Sequence, residues 1–144
     1  MLNYHVLLTP DDNDTVLVTC PDLPEVVTFG EDAQDALGYA VAAVEEALAG
    51  RMAQKKDIPL PASQPAEALH CVRLGTQTAL KVLLYVAMRR QNVTKAELAR
   101  RMGTARQHAD RLLNLNHASR LEALDAAFLA LGQEVVMELR GRAA

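Results

Sequence analysis

Residues 94–132 read TKAELARRMGTARQHADRLLNLNHASRLEALDAAFLALG, and this stretch decides the fold of the second half of the chain. It contains three helical patterns, each opening with a hydroxyl residue that a Glu or Gln follows three places later. The three pairs are Thr94 with Glu97, Thr104 with Gln107, and Ser119 with Glu122. In a capping box the hydroxyl oxygen accepts from a free amide of the first turn, and the acid or amide side chain returns the bond. The spacing therefore predicts three helices with very short connections.

Gly103 marks the end of the first of these helices, because a left-handed residue after a helix costs least as glycine. A helix, a short turn with glycine and a second helix are the pattern of a helix-turn-helix unit. The apolar side chains predicted to pack inside it are Leu98, Ala99, Met102, Ala109, Leu112 and Leu113. The second helix would then turn its polar side chains outward.

This outward face is rich in basic and amide groups. It consists of Arg106, Gln107, His108, Asp110 and Arg111. Reading the major groove of DNA needs such side chains, since Arg pairs with guanine edges and Gln with adenine. Arg106 is the better candidate for direct reading, because Gln107 would be partly used in its capping box. Asn114, Asn116 and His117 in the next loop either donate to phosphates or bond locally. The alternative for the whole unit is a plain helical hairpin with a solvated charged face.

The net charge of −3 conceals a division between the two halves of the chain. Residues 1–74 carry 12 Asp or Glu and 4 Lys or Arg, a net charge of −8, whereas residues 75–144 carry 6 and 11, a net charge of +5. Such asymmetry predicts two domains with different partners. The basic half suits phosphate groups, and the acidic half should repel nucleic acid and attract a basic partner. We therefore expect one domain over residues 1–74 and another over residues 75–144.

The first half reads as a small β-β-β-α-β layer, so the predicted fold class is α+β. The strands are predicted over residues 2–9, 15–20, 26–29 and 68–74. The first two should form a hairpin around the turn cluster PDDND. A helix is predicted over residues 32–52, and the stripe expected to face the sheet is Ala33, Leu37, Ala40, Val41, Val44, Leu48 and Met52. Three prolines make residues 58–65 an extended connection.

The second half is predicted to open with an apolar helix over residues 78–90 and to close with an ambiguous segment. Residues 134–140 read EVVMELR, in which apolar and polar side chains alternate, so a C-terminal strand is possible. A lone strand needs a partner, and a second copy of the chain could supply it. Pairing of this kind would hold dimers together.

Catalytic and metal-binding patterns are weak in this chain. The carboxylates that could bind a metal by type are Asp11, Asp12, Asp14, Asp22, Asp32 and Asp35. Most of them fall in turns or at a helix start, where Asp is favoured for local geometry, whereas two-metal cleavage needs carboxylates that converge from several strands. The four histidines, His5, His70, His108 and His117, are dispersed. We therefore expect no catalytic residues, no metal and no cofactor.

Two cysteines without paired spacing, together with the lack of a signal peptide, predict a reduced, cytoplasmic protein. Cys20 and Cys71 are expected to be small buried thiols. A disulfide between them would need two strands that place them side by side. No apolar run is long enough to span a bilayer.

Two resemblances to known families extend this interpretation. Residues 80–131 resemble Xre/Cro-type repressors, with ELARRMG, the recognition helix, LLNLNHAS and LEALDAAFLALG in order. Residues 21–37, PDLPEVVTFGEDAQDAL, together with the later IPLP, resemble the HicB family of antitoxins. Many HicB proteins are similar to this chain along nearly its whole length, because they follow such a first domain with an Xre-type helix-turn-helix.

The resemblance to HicB proteins implies a partial RNase H-like first domain that binds a HicA-like toxin, a small basic ribonuclease that cleaves messenger RNA. It also implies that the second domain binds operator double-stranded DNA and represses its own operon as a dimer or a dimer of dimers. The family motif of the toxin-binding domain is carried over to Pro21, Asp22, Leu23, Pro24 and Gly30. We expect these residues to set the fold rather than to contact the toxin.

The DNA-binding positions implied by the resemblance are Thr104, Arg106, Gln107, His108, Arg111 and Asn114. Two alternatives from other functional classes stay open. One is a stand-alone Xre-type regulator whose acidic domain senses a ligand or only dimerises, and the other is an active nuclease.

Overall fold

A four-stranded antiparallel sheet of order β3-β2-β1-β4 forms the first half of the protein, with one long helix on one face. This computed structural model describes residues 2–61 and 70–141. The strands are β1 (Asn3–Pro10), β2 (Val16–Thr19), β3 (Val27–Gly30) and β4 (His70–Arg73), and α1 (Ala33–Ala53) lies between β3 and β4. The predicted β-β-β-α-β order is confirmed. The parts of the extended connection and of the fourth strand that were predicted over residues 62–69 lie outside the described residues.

The turn between β1 and β2 has the sharp geometry that the cluster PDDND predicts. Asn13 and Asp14 have positive φ angles of 69° and 60°, a left-handed conformation that these residue types tolerate well. The carboxylate of Asp11 accepts from the amide of Asp12 at 2.9 Å. Across the hairpin Leu7 pairs with Thr19 and Pro10 with Val16, as expected for an antiparallel ladder.

Helix α1 packs on the sheet along a line of residues spaced by four. Its buried side chains are Ala36, Ala40, Val44, Leu48 and Met52. The predicted stripe is therefore confirmed for its last positions but wrong for Ala33 and Val41, which are exposed. The physical reason lies at Gly30, where an added Cβ would stand 2.3 Å from the amide nitrogen of Ala36. Strand β3 passes directly under the helix at Ala36, and this contact fixes the rotation of α1.

Four helices form the second half: α2 (Thr76–Arg90), α3 (Lys95–Met102), α4 (Arg106–Leu112) and α5 (Leu121–Ala130). The predicted succession of helices is confirmed, with α2 beginning two residues before its predicted start. Buried side chains of α2 to α5 belong to the same continuous hydrophobic cluster as those of the sheet layer. Polar contacts also join the halves: the Tyr85 hydroxyl donates to the carbonyl oxygen of Lys56 at 2.6 Å, and Arg89 forms an ion pair with Asp57 at 2.7 Å. The division after residue 74 stays a prediction.

Two predictions from the outer parts of the molecule have different outcomes. Residues 134–140 form no strand within the single chain, and Leu139 is fully exposed; pairing of this segment with a second copy stays a prediction. Cys71 is exposed, whereas Cys20 is buried as predicted, and both thiols are free. The register of β4 explains why Cys71 is exposed. Cys71 pairs with His5, and the neighbours of His5 on β1 point into the core, so Cys71 points away from the core. Within the described ranges, every helix is too short or too polar to cross a membrane.

Candidate nucleic-acid interface

Helix α3 begins at the cap that the sequence predicts. The hydroxyl oxygen of Thr94 accepts from the amide of Glu97 at 3.1 Å, which is the first half of the capping box. The second half is replaced, because the Glu97 carboxylate accepts from Arg100 and Arg101 instead. These guanidinium groups lower the pKa of Glu97 to about 2. The two arginines are thus partly neutralised on the surface of α3.

The turn after α3 consists of residues 103–105 and is closed by two backbone hydrogen bonds. Gly103 has a φ of 67°, as predicted for the left-handed position. Its amide donates to the carbonyl oxygen of Arg100 at 3.2 Å, and the amide of Thr104 donates to that of Ala99 at 2.9 Å. This pair of bonds is the Schellman arrangement, which satisfies carbonyl groups at the helix end. A side chain at position 103 would be strained in this backbone conformation.

The predicted capping box of Thr104 with Gln107 is wrong. Helix α4 begins at Arg106, its N-cap residue is Ala105, and no side chain caps it. Thr104 lies one position before the N-cap residue, and its backbone amide completes the end of α3. The side chain of Gln107 therefore makes no capping bond to Thr104 and is as available for a contact with DNA as that of Arg106.

Helix α4 has a buried side and a polar outer side, as predicted. Ala109 and Leu112 are fully buried between the helices. Arg106, Gln107 and Arg111 are exposed, and their side chains form no hydrogen bond or ion pair with any described residue. The outer side can therefore reach a ligand without breaking an existing contact.

The other polar residues of α4 are less free. His108 is only half-buried, and Asp110 lies 3.2 Å from Lys95 of α3 in an exposed ion pair. In the loop after α4, the Oδ1 atom of Asn114 accepts from the amide of Asn116 at 2.9 Å. Local bonding therefore uses the oxygen of Asn114 and leaves its amide donors available. His117 and Asn116 are exposed beside it.

The third predicted capping box, Ser119 with Glu122, is also wrong. Helix α5 begins at Leu121, its N-cap residue is Arg120, and no side chain caps it. Gln77 of α2 takes both backbone groups of Ser119, accepting from its amide at 3.0 Å and donating to its carbonyl oxygen at 2.8 Å. The side chain of Gln77 thus takes the place of the predicted local cap at Ser119.

Sequence reasoning missed one charged residue beneath this surface. Lys81 of α2 is fully buried, and its ammonium donates to three backbone carbonyl oxygens at the end of α4 and in the following loop. An available signal is its position, four and seven residues before the buried Tyr85 and Met88, which places it on the inner side of α2.

The family-motif residues of the first half surround a tight double turn. Leu23 is fully buried, its amide donates to the carbonyl oxygen of Cys20, and its carbonyl oxygen accepts from Val26. Pro21 and Pro24 are exposed and Asp22 is half-buried. Leu23 and Gly30 therefore have clear packing roles.

Six carboxylates of the first half lie at one end of the sheet, which we call the acidic end. Val16 pairs with both Pro10 and Gly30, so the β1–β2 turn and the start of α1 lie together. The carboxylates there are Asp11, Asp12, Asp14, Glu31, Asp32 and Asp35. Asp32 and Asp35 cap the first turn of α1. Beside them on the open face, Phe29 is 63% exposed. In residues 2–61 and 70–141, no three His, Cys, Asp or Glu are grouped closely enough to hold a metal ion.

Comparison with known proteins assigns the chain to a family. A family model described as HicB_like antitoxin of bacterial toxin-antitoxin system matches residues 3–83. Antitoxin HicB of Escherichia coli strain K12 is 35% identical over 134 residues, which cover 93% of this chain and 96% of that protein. Antitoxin HicB of Pseudomonas fluorescens strain Pf0-1 is 31% identical, with 94% and 92% covered. A crystal structure of the N-terminal domain of Burkholderia pseudomallei antitoxin HicB aligns with 51% of this chain and 98% of that chain, at 23% identity and a TM-score of 0.43. By the family match and the two identities above 30%, this chain belongs to the HicB-like antitoxins of bacterial toxin–antitoxin systems.

Proposed function

We propose that this cytoplasmic antitoxin has two binding surfaces. Residues 1–74 neutralise a HicA-type ribonuclease toxin that cleaves messenger RNA, and α3 with α4 act as a helix-turn-helix that binds operator DNA and represses the operon. The observation that carries the proposal is the segregation of charge, −8 in the half with the sheet and +5 in the half with these helices. The family assignment favours this reading over a stand-alone Xre-type regulator.

The sheet layer is proposed to bind the toxin without cleaving RNA itself. We infer a partial RNase H-like fold from the order of its elements, but β1 to β4 contain no Asp or Glu. Two-metal cleavage needs carboxylates that converge on one point from such strands. A binding role for this layer is therefore favoured over nuclease activity.

The acidic end is the proposed docking surface for the toxin. Its carboxylates would attract a basic protein over a distance of several ångströms, and complementary charge raises the association rate more than it raises the affinity. Phe29 and Val27, 63% and 62% exposed on the open face of β3, would supply an apolar anchor next to the charges. Aromatic anchors within a polar rim are typical of strong protein interfaces.

Neutralising three of these carboxylates tests the toxin-binding proposal. The triple variant Asp12→Asn, Asp14→Asn and Glu31→Gln keeps side-chain shape, and none of the three carboxylates forms a hydrogen bond or ion pair with a described residue. We expect the association rate with a HicA-type toxin to fall about tenfold at low salt. The control neutralises Glu46, Glu122 and Glu134 instead. An equal effect of both triples would reject the acidic end, and no binding by the wild type would reject neutralisation itself.

Helix α4 is proposed to enter the major groove of the operator. Arg106 and Gln107 stand in its exposed first turn, and Arg111 follows on the same outer side. In helix-turn-helix proteins the first residues of the second helix contact base edges, while other polar groups position the protein on phosphates. The free donors of Arg106 and Gln107 fit bidentate contacts to guanine and adenine.

The substitution Arg106→Ala tests this assignment. We expect a loss of about 1–3 kcal/mol in operator binding and a weaker preference for operator over unrelated DNA, with toxin binding unchanged. Arg90→Ala is the matched control, since Arg90 is an exposed arginine at the end of α2, away from α4. Fluorescence anisotropy with labelled duplexes at fixed salt measures both. Unchanged operator affinity in Arg106→Ala would show that α4 does not read the bases.

Self-association is proposed to match the symmetry of an operator with two half-sites. A palindrome read by one helix per half-site calls for a two-fold dimer or a dimer of dimers. Residues 134–140 fit this role, because Val136, Met137 and Leu139 are all exposed in the single chain. Pairing with a second copy would bury these side chains and satisfy the free backbone groups of the segment.

A further inference from the structure

The polar contacts of Lys81 lie directly behind the proposed DNA-binding surface. Its ammonium donates to the carbonyl oxygens of Arg111 at 3.0 Å, Asn114 at 2.8 Å and His117 at 2.5 Å. An ammonium has three donors, and all three are used. The side chain is fully buried, and among residues 2–61 and 70–141 it pairs with no carboxylate. The contact set is therefore purely between one cation and the backbone.

The three acceptors are spaced by three residues because the chain makes two successive turns there. The amide of Asn114 donates to the carbonyl oxygen of Arg111 at 3.2 Å, and that of His117 donates to the carbonyl oxygen of Asn114 at 3.1 Å. These turns bring the three oxygens to one point under the end of α4. Carbonyl groups at a helix C-terminus carry partial negative charge, which favours a cation at this place. Burial lowers the pKa of the Lys81 amine, whereas hydrogen bonds from the ammonium to carbonyl oxygens favour its charged form.

Helix α4 needs outside support for its orientation. With seven residues it is too short to be stable alone. Its first turn has no side-chain cap, and the ion pair between Asp110 and Lys95 is exposed and hence weak. Lys81 joins α2 to the opposite end of α4 through buried bonds, which are stronger because water does not compete with them.

We infer that Lys81 is a positioning residue for DNA binding, which holds the end of α4 and residues 113–117 so that Arg111 and Asn114 present their side chains to DNA. The inference rests on the proposed DNA-binding function. The backbone of Arg111 and Asn114 is held from the inner side by Lys81, while both side chains are exposed on the outer side. Small displacements of such a surface cost binding, because its contacts depend on well-fixed geometry.

The test compares Lys81→Met with a control on the same helix. Lys81→Met keeps the aliphatic volume and removes the three donors. Gln77→Ala removes two hydrogen bonds between α2 and the loop before α5, at Ser119, without touching α4. We expect Lys81→Met to weaken operator binding at least roughly tenfold and to speed amide exchange over residues 113–118. Gln77→Ala should keep operator affinity within about twofold, and both variants should still bind the toxin.

Two further variants separate a loss of positioning from a failure to fold. If Lys81→Met does not fold, Lys81→Gln takes its place, since it keeps a neutral donor on a shorter stem; Lys81→Arg, which keeps a cationic donor, should restore most of the affinity. The inference is overturned if Lys81→Met binds the operator like the wild type, or if both variants lose affinity in proportion to their loss of stability. Failure of the wild type to bind any operator would reject the proposed function, and slow exchange over residues 113–118 in Lys81→Met would then reject the positioning role independently.

Discussion

Replacing Gly30 with Ala should destabilise the sheet layer through a backbone clash. The new Cβ would lie 2.3 Å from the amide nitrogen and 2.7 Å from the Cα atom of Ala36, and 2.8 Å from the carbonyl carbon of Asp35. All three atoms belong to the backbone of α1, so no side chain can rotate away. The φ angle of Gly30 is not in the left-handed region, and the effect is therefore purely steric.

The magnitude follows from what must move. Helix α1 has to lift from β3 by about an ångström, and this loosens the packing of Ala36 and Ala40 on the sheet. Overpacked cores usually cost about 1–3 kcal/mol, and because rigid backbone is involved here we expect about 3 kcal/mol, at the upper end. For a chain of this size, each kcal/mol lowers the melting temperature by about 2–4 °C, so a fall of about 6–12 °C is expected.

Gly38→Ala, within α1, is the matched control. A Cβ at Gly38 meets no atom within 4 Å, and alanine within a helix is favoured over glycine by about 0.5–1 kcal/mol. The two substitutions add the same methyl group and should change stability in opposite directions. Urea unfolding followed by circular dichroism measures both. Wild-type stability in Gly30→Ala, or an equal loss in Gly38→Ala, would refute the steric account of how β3 sets the rotation of α1.

Three other predictions follow from burial and exposure. The double variant Met137→Ser and Leu139→Ser should shift the oligomer toward the monomer in size-exclusion chromatography with light scattering, without lowering the melting temperature of the monomer; an unchanged mass would exclude the C-terminal segment as the dimer contact. Burial raises the pKa of Tyr4 from 10.0 to about 12, so Tyr4 ionises at a lower pH in the unfolded chain than in the folded protein. The free energy of unfolding should therefore fall by up to about 3 kcal/mol between pH 10 and 12. Tyr4→Phe should lack this part of the pH dependence in urea unfolding. An aromatic-disulfide thiol reagent should react quickly with the exposed Cys71 and slowly with the buried Cys20, whose pKa burial also raises; equal rates would contradict the packing around Cys20.

The order of the elements could be predicted from the sequence because local signals and tertiary packing agree there. The helix stop at Gly103 and the cap at Thr94 depend on nearest neighbours, and both are found as predicted. The capping boxes predicted at Thr104 and Ser119 have the same spacing, but neither of them forms. In one case the end of the preceding helix uses the Thr104 amide, and in the other Gln77, 42 residues away, bonds both backbone groups of Ser119. Spacing alone cannot reveal such competition.

The exposed face of α4 could be predicted from the sequence, whereas the contacts of Lys81 that support α4 could not. Exposed Arg106 and Gln107 follow from helical periodicity, since the period that buries Ala109 and Leu112 must turn them outward. A lysine is normally placed at the surface, because burying its charge without partners is very costly. The partners of Lys81 are carbonyl oxygens 30 to 36 residues later, and every residue type has such an oxygen, so no residue pattern marks them. The two turns after α4 bring these oxygens together, and only then can all of them accept from one ammonium. The surface proposed for DNA therefore depends on a contact that can be recognised only once the fold brings α2 under α4.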